Sequence, residues 1–168
     1  FISKGAILGA TQAGADLLTV TQIVATGAVS GAALAGQDIL SVSKSATKGA
    51  IAGAVGGGGD ISLVTKAVTQ GSIIGATDVG SSLDEMIQSV TKGAMLAAEE
   101  SGLNAAQVIK AAAQGAIAGG LEGGSSVEKL TKSITQAVSL AANEVGLNSI
   151  DFSKSVSAGI TEAASGSG

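Results

Sequence analysis

The chain has no cysteine, histidine, proline, tryptophan or tyrosine, and two phenylalanines are its whole aromatic content among 168 residues. Without cysteine there is no disulfide and no thiolate metal site, and redox compartment is unreadable. Without histidine as well, Ser-His-Asp and Cys-His nucleophile systems and most zinc chemistry are excluded. Basic residues are few. Nine lysines face thirteen acids, for a net charge of −4, whereas nucleic-acid binding wants clustered basic residues and stacking rings. The acid pairs Asp84–Glu85 and Glu99–Glu100 sit at helix ends without basic or apolar framing, so they read as solvated. "GGGGD" at 56–60 lacks the Gly-Lys-Ser/Thr of a phosphate loop. The expectation is a non-enzyme with no cofactor, no metal and no small-molecule ligand. Phe1 is not an initiator methionine, which points to a processed chain or a fragment, and no signal peptide is visible in the sequence.

What the chain has instead is glycine, 26 of them, and they are positional. One column at 22-residue spacing reads Gly5, Gly27, Gly49, Gly71, Gly93, Gly115 and Gly159, broken only by Ala137. A second, four residues on, reads Gly9, Gly31, Gly53, Gly75, Ala97, Gly119, Ala141 and Ala163. A third has no exception: Gly14, Gly36, Gly58, Gly80, Gly102, Gly124, Gly146 and Gly168. A flexible linker shows no such period, so the repeat extends over residues 1–168 as a single array with no domain boundary.

Two residues after each third-column glycine stands Asp16, Asp38, Asp60, Ser82, Asn104, Ser126 or Asn148. Each is a favoured N-cap, because its side-chain oxygen accepts an orphan N–H of the first helical turn. The glycine before it suits the left-handed residue that ends a helix, since it has no Cβ to penalise positive φ. Each repeat is therefore one helix of about 19 residues, roughly 28 Å long. Three-residue turns make sequential helices antiparallel. A weaker 44-residue alternation ("GSS" at 80–82 and 124–126, "GLN" at 102–104 and 146–148) marks a helical hairpin as the unit. The predicted fold is all-α: about eight antiparallel helices in a close-packed, solenoid-like or layered Gly/Ala array.

Within the helix opened by Asp60, Ile61, Val64, Val68, Ser72, Gly75, Ala76 and Val79 recur at spacings of three and four and form a buried stripe. Eight of the nine lysines fall in two columns and read as a solvated ridge opposite it. A helix-interior glycine costs about 0.8–1 kcal/mol relative to alanine. Gly5, Gly9, Gly27, Gly31, Gly49, Gly53, Gly71, Gly75, Gly93, Gly115 and Gly119 are therefore assigned to close helix packing, which small-xxx-small spacing permits. Acids near helix C-termini (Asp78, Glu99, Glu100, Glu122, Glu144) are expected beside the N-terminus of an antiparallel neighbour.

Ile7, Leu8, Val29, Ile51, Ile73, Ile74, Met95, Leu96 and Ile117 follow the first-column position by two or three residues and project beside the lysine ridge. A helix apolar on two sides is buried on both. One sheet of helices cannot cover both sides, so these nine are assigned to a subunit–subunit interface, with a two-layer bundle that buries them internally as the alternative. Neither end of the array shows a polar cap, and a head-to-tail contact that does not close makes a filament. The leading expectation is a structural, self-assembling protein, a homopolymer on the cell surface or outside the cell. One rival is a membrane-associated glycine-zipper protein, suggested by the 21 uncharged residues 17–37. Mid-helix lysines in the same register of other repeats argue against spanning. A second rival is a soluble repeat adaptor for another protein. Threonine columns (Thr21, Thr65, Thr131; Thr47, Thr69, Thr91, Thr135) raise ice binding as a remoter possibility.

Overall fold

The structure, a computed structural model, describes residues 2–166; Phe1 and Gly168 lie outside them. The described residues form eight α-helices and no strand: α1 (Ile2–Gln12), α2 (Leu17–Leu34), α3 (Ile39–Gly57), α4 (Ile61–Asp78), α5 (Leu83–Ser101), α6 (Ala105–Glu122), α7 (Val127–Glu144) and α8 (Ser153–Gly166). A 3-10 turn, Ser149–Phe152, leads into α8.

Local chemistry sets the boundaries. Asp16, Asp38, Asp60, Ser82, Asn104, Ser126 and Asn148 each have extended backbone, and each side chain accepts a backbone N–H two or three residues on. Gly14, Gly36, Gly58, Gly80, Gly102, Gly124 and Gly146 have φ between +64° and +80°. The residue after each returns its N–H to the carbonyl five positions back, as from Gly59 to Ala54 at 2.8 Å and from Leu103 to Ala98 at 2.9 Å. That bond consumes one of the orphan carbonyls at the helix end. Stop, turn and start take three residues, so consecutive helices fold back antiparallel.

Packing beyond the hairpin is where the architecture departs from a single sheet. Among the described residues each helix touches its first and second neighbours along the chain and none further, and the second-neighbour contacts are the more extensive. The helices therefore stand in two layers, α1, α3, α5 and α7 in one and α2, α4, α6 and α8 in the other. Helices within a layer are parallel, and the hairpin turns step between layers. The main core threads both layers through Ile73, Met86, Ile87, Met95, Ile109, Ile117, Leu130 and Ile134, all at most 1% exposed. Smaller clusters lie toward the N-terminus, around Ile7, Val64 and Val68, and around Ile51 and Val108.

This arrangement places the contacts of the packed column glycines between parallel helices of one layer, and it corrects one expectation. Of the acids near helix C-termini, Glu100, Glu122 and Glu144 meet mid-helix partners on the parallel neighbour, not an adjacent N-terminus. Lys48 pairs with Glu100 at 2.7 Å and Lys110 with Glu162 at 2.6 Å, and Lys92 pairs with Glu144. Gln70 donates its amide to Glu122. Every pair joins residues 52 apart, one hairpin plus two turns, so charged rungs run along both outer surfaces.

Candidate assembly interface

Helical glycines serve here as landing sites for the backbone of the helix two before. A Cβ built on Gly93 would stand 2.6 Å from the Lys44 carbonyl oxygen, and on Gly159 2.5 Å from that of Lys110. Gly53 meets Lys4 at 2.7 Å, Gly119 meets Gln70 at 2.8 Å and Gly75 meets Thr26 at 2.9 Å, while Gly71 faces the Gln22 carbonyl and Gly115 that of Lys66. In every case the carbonyl lies 49 residues before the glycine. A second constant accompanies it: the same built Cβ touches the Cβ of the residue 46 before, namely Ile7, Ala25, Val29, Thr47, Thr69, Ile73 or Ala113. Partner numbers that rise together with the glycine numbers require parallel axes, and a constant offset means that each layer steps by the same translation. The lysine columns acquire a second role. Lys4, Lys44, Lys66 and Lys110 extend outward while their own carbonyls receive the next glycine.

Four glycines of the same columns receive nothing. A Cβ on Gly5, Gly9, Gly27 or Gly31 would meet no atom within 4 Å. They lie on α1 and α2, which have no helix two before them among the described residues. Beside them stand the most exposed large apolar side chains of that end, Ile2 (87%), Ile23 (65%) and Leu34 (89%). A groove of about 730 Å³ opens there, lined by Ile2, Ile23, Val24, Gly27, Val42 and Ala46 among others. Toward the other end, α7 and α8 have no helix two after them among the described residues. A groove of about 470 Å³ between them is lined by Thr135, Val138, Ser139, Ile150, Ser157 and Thr161 among others. Ile150, in the 3-10 turn, is 75% exposed.

The nine residues assigned to the interface are placed otherwise. Ile7, Val29, Ile51, Ile73, Met95 and Ile117 are at most 1% exposed within the chain, and Leu8, Ile74 and Leu96 are half-buried. They are buried inside the chain, as in the two-layer alternative. The physical reason is that the apolar side beside the lysine ridge faces the parallel neighbour of its own layer, as Ile7, Val29 and Ile73 meet Gly53, Gly75 and Gly119, with residues of the other layer completing the cover. The assigned packing glycines divide as well. Gly49, Gly53, Gly71, Gly75, Gly93, Gly115 and Gly119 are packed, and Gly5, Gly9, Gly27 and Gly31 are open. Ice binding loses most of its surface. Thr21, Thr47, Thr65, Thr69 and Thr91 are at most 4% exposed, the hydroxyls of Thr21, Thr65 and Thr69 make no hydrogen bond, and only Thr131, half-buried, and Thr135, exposed, reach solvent.

The end-face residues went unnoticed in the sequence, although one signal pointed to them. Ile23 occupies the repeat position that is Ala67 in α4 and Ala111 in α6, both at most 2% exposed. A large side chain where the internal repeats need a small one marks a step unlike the others.

Electrostatics at the site are mild. Residues 1–59 carry three lysines and two aspartates, net +1, and residues 60–168 carry six lysines and eleven acids, net −5. The hydroxyl of Thr19 holds the Asp16 carboxyl below its ordinary range, as Ser41 does for Asp38. Among the described residues no group of three acids could hold a metal ion.

No protein-family model matches the chain, and no curated protein matches it. Among solved structures it is similar to the crystal structure of a de novo designed helical repeat protein, DHR7, with TM-score 0.50 and 21% identity over 97% of this chain and 93% of that one. At that identity the likeness concerns the fold alone. The chain is an all-α helical repeat array.

Proposed function

We propose that the protein is a structural subunit that assembles with copies of itself, end to end, into a filament or layer. One observation supports the reading: Gly5, Gly9, Gly27 and Gly31 meet no atom within 4 Å, whereas Gly53, Gly71, Gly75 and their successors in the same columns receive a parallel helix. A heterologous contact through such a face leaves a like face free after each addition and so polymerises. The reading includes an extracellular or cell-surface location. Negative-stain electron microscopy of the purified chain in detergent-free buffer tests it. Uniform filaments or sheets are expected, and monodisperse single particles at high protein concentration would overturn it.

A second reading has one observation in its favour. Helix α2, Leu17–Leu34, carries no charge, has a mean hydropathy of 1.6 and is 22% buried. It is long enough to cross a bilayer, and its exposed face could instead lie on one. Flotation with lipid vesicles and dye release from them would favour this reading over self-assembly.

A further inference from the structure

We infer that α1–α4 form a labile half of the array, which opens as a unit while α5–α8 stay folded, with α4 as the joint between the two. This goes beyond the self-assembly reading and does not rest on it.

Along one side of α4, Thr65, Thr69 and Ser72 stand at i, i+4 and i+7. All three are 0% exposed, and none of their hydroxyls makes a hydrogen bond. Thr21 of α2, at the repeat position of Thr65, is in the same state. The neighbouring helices avoid it in two ways. On α3 the equivalents of Thr65 and Thr69 are Ser43 and Thr47, whose hydroxyls donate to the Ile39 carbonyl at 2.7 Å and the Ser43 carbonyl at 2.9 Å. On α6 the equivalents of Thr65, Thr69 and Ser72 are Ile109, Ala113 and Ala116, buried side chains with no polar atom to satisfy. A hydroxyl buried without a partner has given up its hydration for nothing in return. Helix α4 therefore carries a penalty inside the array that α3 and α6 do not.

The core divides at the same helix. Val64 and Val68, in the first half of α4, pack with Ile7, Ala25, Ala50 and Ala54. Ile73 and Ala76, in its second half, belong to the main core, which holds Met86, Met95, Leu130 and Phe152. The first of these cores is built of alanine, valine and one isoleucine, and the hydroxyl row lies where it meets the second. Polar ties between helices are uneven in the same sense. Ser133 donates to Asp84 at 2.5 Å and Gln114 to Glu162 at 2.7 Å, beside the Lys92–Glu144 and Lys110–Glu162 rungs, so α5–α8 are tied within themselves. Among the described residues, the one side-chain hydrogen bond joining two helices of α1–α4 runs from Thr26 Oγ1 to the Gly71 carbonyl at 2.9 Å. Stability in a repeat array is a sum of local and nearest-neighbour contributions, so a run of weak steps opens before the rest.

Native-state hydrogen exchange of the whole chain tests this. Helices α4 and α5 occupy mirror positions among the eight, and each packs between two parallel neighbours, α2 and α6 for one, α3 and α7 for the other. Fraying from the ends would leave the two equally protected. The expected result is exchange at least about tenfold faster in α4 than in α5, with α2 and α3 opening together with α4. Thr65→Val with Ser72→Ala removes two unpaired hydroxyls at nearly constant shape. It should slow exchange in α4 by about tenfold or more and leave α6–α8 unchanged. Ser43→Ala, which deletes a hydroxyl that is bonded, should give no such gain. Equal protection of α4 and α5 would overturn the labile half. So would a double variant whose α4 exchanges as fast as the parent's, the result expected if the hydroxyls turned onto the carbonyls four residues before them.

Discussion

Helices α2 and α4 carry glycines at the same two repeat positions, Gly27 and Gly31 in one, Gly71 and Gly75 in the other, in opposite surroundings. Around α4, Gly71 and Gly75 lie against the Gln22 and Thr26 carbonyls, and a methyl group at either would collide with backbone. Around α2, nothing stands within 4 Å of the equivalent positions. The helix-propensity cost is the same in both, about 0.8–1 kcal/mol per glycine. In α4, close packing offsets it. In α2, no contact among the described residues does. On the proposed reading, a contact between copies returns that cost.

The comparison is broken most severely from the covered side. Gly115→Leu would drive a branched side chain into the Lys66 carbonyl and the Thr69 side chain, between helices that repeat packing holds at fixed spacing. Overpacking costs about 1–3 kcal/mol where side chains can shift, and more when backbone must move. The expected loss is at least about 3 kcal/mol, a large share of the 5–15 kcal/mol that stabilises a typical domain. Urea unfolding followed by circular dichroism would show it. A midpoint within error of the parent would mean that the layers slide freely and that the 49-residue rule is not a constraint.

The same comparison sharpens from the open side. Gly27→Ala with Gly31→Ala meets no atom in the single chain, so it should stabilise the monomer by the propensity gain, about 1.6–2 kcal/mol for the pair. At roughly 2–4 °C per kcal/mol for a chain of this size, the melting temperature should rise by several degrees. On the proposed reading assembly should fall in the same variant, because both methyl groups would stand in the open glycine face. Higher stability together with lost polymer is an outcome that a purely structural role for these glycines does not produce. A variant that is more stable and still polymerises would place the junction elsewhere.

How much of this was legible in the sequence depends on the range of the interaction. Helix stops and starts were legible, because the left-handed glycine and the cap two residues later answer needs met within six residues. The hairpin unit was legible in "GSS" and "GLN" returning after 44 positions. Which helix covers which was not. Ile73 and Ile117 were correctly read as apolar on a second side, but an amphipathic pattern says that a side chain is buried without saying by whom. The answer lies in contacts 46 to 52 residues apart, and no single helix carries that information. The end face was legible only by contrast, from the isoleucine at 23 against the alanines at 67 and 111.

The smallest expected effect separates the ends by pH. Asp16 caps α2 at the open end, with Thr19 Oγ1 donating to it at 2.6 Å and the Leu18 N–H at 3.1 Å. Asp38 caps α3, further into the array, through Ser41 Oγ at 2.7 Å and the Leu40 N–H at 3.0 Å. Both carboxyls are held below their ordinary value, chiefly by those hydroxyls. A carboxyl with a depressed folded-state pKa contributes stability that is present above its unfolded value, about 3.9, and is lost as pH falls through the folded one. The window therefore opens below about pH 4, and neutral pH is unaffected. On acidification the amides of Leu18 and Thr19 should lose hydrogen-exchange protection before those of Leu40, because α2 has no helix two before it among the described residues, whereas α3 packs on α1. Asp16→Asn keeps a cap oxygen but removes the titration, so it should flatten the acid response at Leu18 alone. If Leu18 and Leu40 lost protection together in both proteins, acid would be acting on the whole array and the open end would be no weaker than its interior.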